Sequence, residues 1–548
     1  MINIVWTVEN DDPSNAGIEV RLKPIAKSLE AFSAYVKIQT YRDLHIQLLD
    51  DAKIDNSLVF VLSKPHKPEY ISYMLALQAR GCLVGIDIFD NYYAPSIALR
   101  HLGVQSVWNN ALLNADFCIF STRSLARYAS RVSVNDKPSF IVCDPVERSH
   151  VSIPNKLDKG KWTQLSLLKH EVRVTWFGID ANPYFEIGLS DIYRNIPRLI
   201  EIKDAIIKSM GPQAIMILSI CTRKTKHLEP LLSALWELGI PTQFIEWTKL
   251  ACAELLSNTH IVFLPTNNEI FSLSKTHNRL VDSIANNCIS YISPNGLYTW
   301  LKGDLCIDSQ SDLIYLLVKC KTDADIEILR EKTMDRIACM IKEEDQLPDL
   351  ISYLKSNPSS SMQHKGKLAL IGSVPNADVI KILRKSNVAM AGIVSSLVKS
   401  PPSYDDVTLI HDKRGLRMRV KRNSIKRITS DKHHDLSSGN ATRTLRTAKN
   451  CRVQFLHIDG DDPKFIEVSI RAYGTPLCDL STNQELLELD KNLVFRNQYS
   501  LQLVIALYEC LYVYCRSVLE INDISVISGS NSIGYYLDSL IRADCIKR

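Results

Sequence analysis

The chain has 548 residues, and its composition already excludes several classes of protein. Apolar residues make up 46% and charged residues 23%, which is typical of chains that bury hydrophobic cores and excludes extensive disorder. A single hydrophobic core does not grow to this size, so we expect roughly two to four domains. The net charge of +5 is too small to indicate nucleic-acid binding by itself.

The 14 cysteines and the first residues bear on the cellular compartment. No two cysteines form a CxxC pair, and several lie in apolar runs such as FCIF, which favours a reducing environment. The opening MINIVWTVEN lacks the basic and apolar regions of a signal peptide. No apolar run reaches the roughly 18 residues of a membrane span. We expect a cytoplasmic protein, free or peripherally bound to the inner membrane.

Residues 1–150 alternate short apolar runs with amphipathic stretches, which is typical of strand–helix–strand units in a parallel sheet. The predicted strands are residues 2–7, 57–62, 83–88, 117–121 and 140–143. The predicted helices are residues 18–32, 69–80 and 96–102. The pattern therefore predicts one open α/β domain.

A polar, basic stretch at residues 148–169 predicts a linker, after which a second series begins. Its predicted strands are residues 172–177, 214–219, 242–246, 261–265 and 290–292. Its predicted helices are residues 189–210, 227–238, 251–258 and 278–286. This series predicts a second α/β domain over residues 170–355.

A third region is predicted at residues 366–548, after a second linker at residues 356–367. It opens with the strand-like run LALIGSV, and we expect an additional α/β domain. Its basic stretch at residues 413–427 lacks the interleaved aromatic residues that stack on bases, so no nucleic-acid partner is predicted.

The densest group of polar residues is PTNNEIFSLSKTHNRLVDSIANNCISYISPNGLY, residues 265–298. Its predicted helix begins near residues 275–278, so Lys275 and Arg279 are expected to share one face, and so are Asn278 and Asp282. Cations at a helix N-terminus favour phosphate oxygens, and a carboxylate accepts hydrogen bonds from hydroxyl groups. The group predicts a nucleotide-diphosphate site; the alternative is a helix start with solvated charges.

The pattern K-x-x-N-R-x-x-[E/D], followed by a strand and S-P-x-x-x-Y, resembles the donor site of bacterial family-1-type glycosyltransferases (glycosyl transferases group 1). The resemblance implies two Rossmann-like domains in the GT-B arrangement. It places Asp282 on the second of the family's two glutamates and Ser274 on the first, with Glu269 as the candidate substitute. The donor-binding residues that it implies are Gly178, Arg223, Glu269, Lys275, Asn278, Arg279, Asp282 and Tyr298.

Other segments resemble the family in the same order, over about residues 1–354. VTWFGIDANPYFEIGL resembles the first strand and turn of the donor domain, where Gly178 lets the backbone approach the phosphates. LSICTRK ends a strand with Arg223, either a phosphate ligand or part of a solvated turn. Trp247 either stacks on the nucleotide base or belongs to the core.

In the first domain, GIDIFDNYY resembles the family's strand and acidic turn facing the cleft. Asp90 is the first candidate for the base that activates an acceptor hydroxyl, with Asp87 as the second catalytic carboxylate. Asp90 has the alternative role of a helix cap. Arg21 and Asn91 are the candidate acceptor-side residues.

The resemblance thus implies a metal-independent glycosyltransferase of bacterial surface polysaccharide assembly, with a nucleotide-sugar donor as co-substrate, a glycan or lipid-linked acceptor, and no cofactor. We interpret the acidic turn HIDGDD, residues 457–462, as a solvated loop, and residues 433–434 have no partners at zinc spacing. Residues 465–488 resemble a helix–Gly-Thr-Pro–strand segment of a donor domain, so the third region is expected to serve homo-oligomer, partner-protein or acceptor contacts. The alternatives are a catalytically silent GT-B scaffold that recruits partner enzymes, and a GT-B epimerase or phosphorylase.

Overall fold

The computed structural model contains three β-sheets, two with six strands and one with eight. The residues that it describes are 2–10, 17–50, 54–92, 102–132, 137–146, 160–168, 171–181, 187–225, 228–267, 269–357, 368–371, 377–395, 407–412, 415–421, 443–446, 452–458, 465–473, 511–512, 515–516 and 524–527. No helix in these ranges is both long and apolar enough to cross a membrane.

The first sheet is entirely parallel. Its strands are β1 (Ile2–Val8), β2 (Ala34–Thr40), β3 (Val59–Ser63), β4 (Leu83–Ile88), β5 (Phe117–Phe120) and β6 (Ser139–Ile141). A π-helical segment (Gly17–Leu22) and five helices connect them: α1 (Lys23–Glu30), α2 (Tyr41–Leu49), α3 (Pro68–Ala79), α4 (Leu102–Asn114) and α5 (Arg123–Val132). The strand order is β2-β1-β3-β4-β5-β6, so the switch point of this sheet lies between β1 and β3.

The second sheet is also parallel, in the order β12-β11-β10-β7-β8-β9. Its strands are β7 (Glu171–Phe177), β8 (Ile215–Thr222), β9 (Thr242–Glu246), β10 (Ile261–Leu264), β11 (Ile289–Ile292) and β12 (Cys306–Ile307). Its helices are α6 (Lys161–Leu168), α7 (Leu189–Arg194), α8 (Ile196–Met210), α9 (Leu228–Glu237), α10 (Lys249–Ser257), α11 (Ile270–Leu273), α12 (Asn278–Ala285), α13 (Gln310–Lys319) and α14 (Asp323–Glu344). This is the Rossmann strand order, and the switch point lies between β7 and β10.

Three local expectations are corrected by the structure. The predicted linker contains helix α6, in which Trp162 is buried and whose first backbone N–H groups donate to the Asp323 carboxylate. The predicted helix at residues 189–210 is two helices, because Pro197 lacks an N–H and begins a new helix. Strands β2 and β12 were not predicted. β2 is a half-exposed edge strand and β12 has only two residues, so neither gives a clear apolar run.

Helix α15 (Leu347–Ser356) returns from the second domain to the first. Its buried leucine and isoleucine side chains belong to the same hydrophobic core as Ile4 and Trp6 of β1. Two hydrogen bonds fix its start. The Gln346 backbone N–H donates to the Ile141 carbonyl at 2.6 Å, and the Ile141 backbone N–H donates to Gln346 Oε1 at 2.8 Å. The helix therefore ties the two domains together.

The third sheet is mixed, in the order β17-β18-β19-β16-β15-β14-β13-β20. Its elements are β13 (Leu368–Ile371), α16 (Ala377–Lys385), β14 (Ala389–Ser395), β15 (Val407–Asp412), β16 (Gly415–Lys421), β17 (Arg443–Arg446), β18 (Arg452–Ile458), β19 (Phe465–Tyr473) and β20 (Ile524–Ile527). The strands from β20 to β15 are parallel, and the others are antiparallel.

The third region does not stand apart from the first domain, because α16 packs in the same core as α3. The helix expected at the start of residues 465–488 is wrong, since β19 occupies that segment. Several predicted features lie outside the described residues: most of the helix at 96–102, most of the linker at 356–367, residues 433–434 and most of the acidic turn at 457–462.

Candidate functional site

The carboxyl edges of the two parallel sheets face each other and share hydrogen bonds. Asn91, after β4, donates from Nδ2 to Ser274 Oγ at 2.9 Å. Thr122, after β5, donates from Oγ1 to the Ser274 carbonyl at 3.1 Å. Ligands of open α/β sheets bind outside the carboxyl ends of the strands, at the switch point. The crevice between the two edges is therefore the candidate site.

Asp90 and Lys275 form an ion pair across this crevice, and Lys64 of the first domain pairs with the same carboxylate. Burial raises the pKa of Asp90, but Lys275 and Lys64 together outweigh it and hold the pKa well below its usual range. Burial likewise lowers the pKa of Lys275, and Asp90 opposes this effect. An ionised carboxylate between two ammonium groups is a weak base, so this arrangement alone does not activate a hydroxyl. The catalytic role of Asp90 stays a prediction.

Arg21 and Asp87 are buried together beneath the crevice. Arg21 donates from Nη2 to Asp87 Oδ1 at 2.6 Å and from Nη1 to Asp144 Oδ1 at 2.7 Å and the Val142 carbonyl at 2.8 Å. The guanidinium thus pairs with both carboxylates within the first domain. The predicted acceptor-side role of Arg21 and catalytic role of Asp87 stay predictions.

Asp144 was not singled out from the sequence, yet it joins the two domains. Its Oδ2 accepts a hydrogen bond from Asn278 Nδ2 at 2.6 Å, and its carbonyl lies 2.9 Å from His277 Nε2. The pKa of Asp144 is lowered, because Arg21 outweighs the effect of burial. Its position directly after a buried strand was the available signal, although its partner on α12 is far away in sequence.

Gly178, Arg279 and Tyr298 come together at the switch point of the second sheet. Arg279 donates from Nη1 to the Phe177 carbonyl at 3.2 Å, and a Cβ atom on Gly178 would lie 3.1 Å from the same nitrogen. Tyr298 is buried, which raises its pKa, and the nearby charge of Arg279 opposes this rise. These three predicted donor-site residues are neighbours in the structure.

The other predicted donor residues lie elsewhere in the second domain. Arg223 is exposed at the end of β8, and Asp282 is half-buried on α12. Glu269 precedes α11, and its Oε1 lies 3.9 Å from Arg194 Nη1. Trp247 is partly buried and packs against the core of the second domain.

Sequence reasoning also missed Asp191, a buried carboxyl at the start of α7. Its Oδ2 accepts a hydrogen bond from the Gly188 backbone N–H at 3.0 Å, and burial raises its pKa to about 6. An acid at the third position of a helix is a signal for a capping box, and it would have indicated this contact.

Within the described ranges, no three His, Cys, Asp or Glu side chains cluster as a metal site. Independence from metals stays a prediction.

No protein-family profile and no curated protein matches the sequence. A solved structure described as trehalose-6-phosphate from E. coli bound with UDP-2-fluoro glucose is similar at 9% identity and a TM-score of 0.40, over 66% of this chain and 99% of that chain. WaaG, a glycosyltransferase involved in lipopolysaccharide biosynthesis, is similar at 13% identity and a TM-score of 0.40, over 66% and 100%. MnaA of S. aureus with UDP is similar at 9% identity and a TM-score of 0.35, over 62% and 97%.

The strand orders of the two six-stranded sheets, rather than these similarities, define the class of the protein. It has two Rossmann-like domains whose carboxyl edges face each other, which is the GT-B arrangement. The fold class predicted from the sequence is confirmed for these two domains.

Proposed function

We propose that the chain is a glycosyltransferase that holds a nucleotide sugar at the switch point of its second sheet and an acceptor in its first domain. The observation that carries the proposal is the meeting of Gly178, Arg279 and Tyr298 at the end of β7. A glycine there gives a ligand close access to the backbone, and a guanidinium beside it suits a phosphate.

The charge of Arg279 is available to an anionic ligand. No carboxylate among the described residues forms an ion pair with it, whereas Lys275 is balanced by Asp90. Arg279 also lies in the first turn of α12, where the helix dipole favours negative charge. These groups would stabilise the leaving diphosphate as its bond to the sugar breaks, without a metal or another cofactor.

The first domain supplies the acceptor side, with Arg21, Asp87, Asp90 and Asn91 as its candidate residues. Asp90 becomes a better base if Lys275 turns from it to the diphosphate, because the pKa of the carboxyl then rises toward its usual range. Donor binding would thus prepare the base. Closure of the two domains would exclude water, which competes with a glycan or lipid-linked acceptor. Bacterial surface polysaccharide assembly is the context that we propose.

The test is the thermal stability of the purified protein with UDP, GDP, ADP and CMP at millimolar concentration. A ligand that binds only the native state raises the melting temperature by mass action. We expect one nucleotide to raise it in the natural protein and not in Arg279→Ala. Arg173→Ala is the matched control, because it removes an exposed arginine near the opposite end of the same β7 strand.

A second candidate function is a catalytically silent scaffold. One observation favours it. Lys275 and Asn278 were predicted to bind the donor, but Lys275 pairs with Asp90 and Asn278 donates a hydrogen bond to Asp144. The scaffold proposal is preferred if no nucleotide changes the melting temperature. A GT-B epimerase or phosphorylase would bind a nucleotide and then turn over the donor without a glycan acceptor.

A further inference from the structure

The turn at Gly188 fixes the position of Asp191 at the start of α7. The Leu189 backbone N–H donates to the Asp180 carbonyl at 3.0 Å. Gly188 has a φ of +96°, and a Cβ atom there would lie 2.6 Å from the carbonyl oxygens of Ile179 and Asp180. Only glycine fits at this turn without strain, and the next helix therefore starts at a defined place.

Asp191 is 5% exposed, and only one of its two carboxyl oxygens has a hydrogen-bond partner among the described residues. Its Oδ2 accepts a hydrogen bond from the Gly188 N–H, whereas Oδ1 is buried and has no hydrogen-bond partner among the described residues. A buried polar oxygen without a partner costs free energy, and in native proteins it commonly marks a place that a ligand or water completes. Asp191 Oδ1 can therefore accept a hydrogen bond from a ligand.

Glu269 brings a second carboxylate to the same place from the opposite side of the switch point. Its Oε2 is also buried without a partner in the described part of the chain. The charge of Glu269 raises the pKa of Asp191 and that of Arg279 lowers it, so both side chains lie within electrostatic reach of Asp191. Two carboxylates repel a phosphate but accept hydrogen bonds from hydroxyl groups.

An apolar wall lies next to these carboxylates. Ile187 and Phe271 are buried together, and Ile270 and Tyr92 pack against them. Tyr92 belongs to the first domain, and its ring centroid lies 5.9 Å from that of Phe271. An apolar wall combined with a few oriented acceptors suits a ligand that has both C–H faces and hydroxyl groups, as a sugar ring has.

We propose that Asp191 accepts a hydrogen bond from a hydroxyl group of the transferred sugar, beside the predicted donor residues Glu269 and Arg279. This inference rests on the proposed function, since it places the sugar and the diphosphate of one donor side by side. It makes Asp191 a determinant of donor specificity.

Isothermal titration calorimetry tests the inference with pairs of ligands: UDP with UDP-glucose and UDP-N-acetylglucosamine, GDP with GDP-mannose, and ADP with ADP-glucose. We expect Asp191→Asn to leave the Kd of the diphosphate unchanged and to weaken the matching nucleotide sugar by about tenfold. The asparagine carbonyl still accepts the Gly188 N–H, so the turn is kept. Asp204→Asn, an exposed carboxylate on α8, is the control and should change neither Kd.

Glu269→Gln is the second variant and should show the same selective loss. If the natural protein binds a diphosphate and its nucleotide sugar, but Asp191→Asn weakens both equally or neither, the sugar subsite is wrong and the proposed function stands. If the natural protein binds no nucleotide of either kind, the proposed function fails and the subsite fails with it.

Discussion

Asn278 Nδ2 lies 2.6 Å from Asp144 Oδ2, so the helix predicted to hold the donor also binds the first domain. Lys275, just before that helix, pairs with Asp90 in the same way. Two carboxylates of the first domain therefore take the positions that the oxygens of a diphosphate would take on these donors. An anionic ligand in the crevice must compete with them.

This competition predicts that Asp90→Asn binds nucleoside diphosphates more tightly than the natural protein. The neutral amide releases the charge of Lys275, and we expect the Kd to fall by about three- to tenfold. Titration calorimetry with the nucleotide selected by the thermal test measures it.

Lys64→Ala is the matched control for that measurement. Lys64 pairs with Asp90 from within the first domain, and its removal leaves Asp90 to Lys275 alone. The diphosphate affinity of Lys64→Ala should therefore stay the same or fall. A Kd that is unchanged or higher in Asp90→Asn would show that Lys275 takes no part in binding the nucleotide.

The turn before α7 predicts unequal effects of alanine at two glycines. Gly188 and Gly211 have nearly the same φ, +96° and +97°, but a Cβ atom meets nothing within 4 Å at Gly211 and meets the Asp180 carbonyl oxygen at 2.6 Å at Gly188. Positive φ alone costs an alanine about 1 kcal/mol, which is the effect expected at Gly211. Gly188→Ala should lower the free energy of unfolding by about 3 kcal/mol, because the turn must also move. Urea unfolding measures both, and equal losses would contradict the steric argument.

The order of elements in the first two domains could be predicted because their central strands are buried on both faces. Strands β3, β4 and β5 have no exposed residue, so each reads as a mostly apolar run, in which Asp87 of β4 is the one charged residue. The edge strand β2 alternates buried and exposed residues within a polar stretch and gave no such signal. The mixed topology of the third region depends on pairings between distant strands, which local patterns do not encode.

In the candidate site, too, local features could be predicted from the sequence and contacts between distant residues could not. Lys275 and Arg279 could be recognised because they lie close together in the sequence. The prediction that they share one helix face is wrong, because α12 begins at Asn278 and Lys275 precedes it. Their partners could not be recognised, since Asp90 lies 185 residues from Lys275, and Asp144 lies 134 residues from Asn278. The resemblance indicated which residues face the crevice. It did not indicate that the carboxylates of one domain neutralise the donors of the other.

The shared core of α3 and α16 predicts that the third region stabilises the first domain. Leu383 is fully buried among first-domain residues, and Lys385 Nζ donates to the Leu49 carbonyl at 2.6 Å. Leu383→Ala should lower the free energy of unfolding of the first domain by about 2–4 kcal/mol. Lys381→Ala, exposed on the same helix, is the control and should change it by less than about 0.5 kcal/mol.

Limited proteolysis reports which part of the chain responds. Faster cleavage within residues 1–146 of Leu383→Ala would show the expected coupling. Faster cleavage confined to residues beyond 357 would contradict it, because the third region would then fold independently of the first domain.

Asp191 predicts a pH dependence of stability whose sign follows from its burial. Burial raises the pKa of this carboxyl to about 6 in the folded protein, from an ordinary value of 3.8. Between these values the folded state binds more protons than the unfolded state, so this group's contribution to stability falls as the pH rises from about 4 to 6. Above pH 6 the ionised carboxylate costs at most about 3 kcal/mol, since one pKa unit corresponds to about 1.36 kcal/mol.

Asp191→Asn removes that cost, because the amide is neutral at every pH. The variant should be more stable than the natural protein at pH 8, by up to about 3 kcal/mol, and nearly equal to it at pH 4. Urea unfolding at the two pH values measures the difference, and parallel curves would contradict the argument. A carboxylate that destabilises the protein at neutral pH is expected where function requires it, so the gain in stability should accompany the loss of nucleotide-sugar affinity.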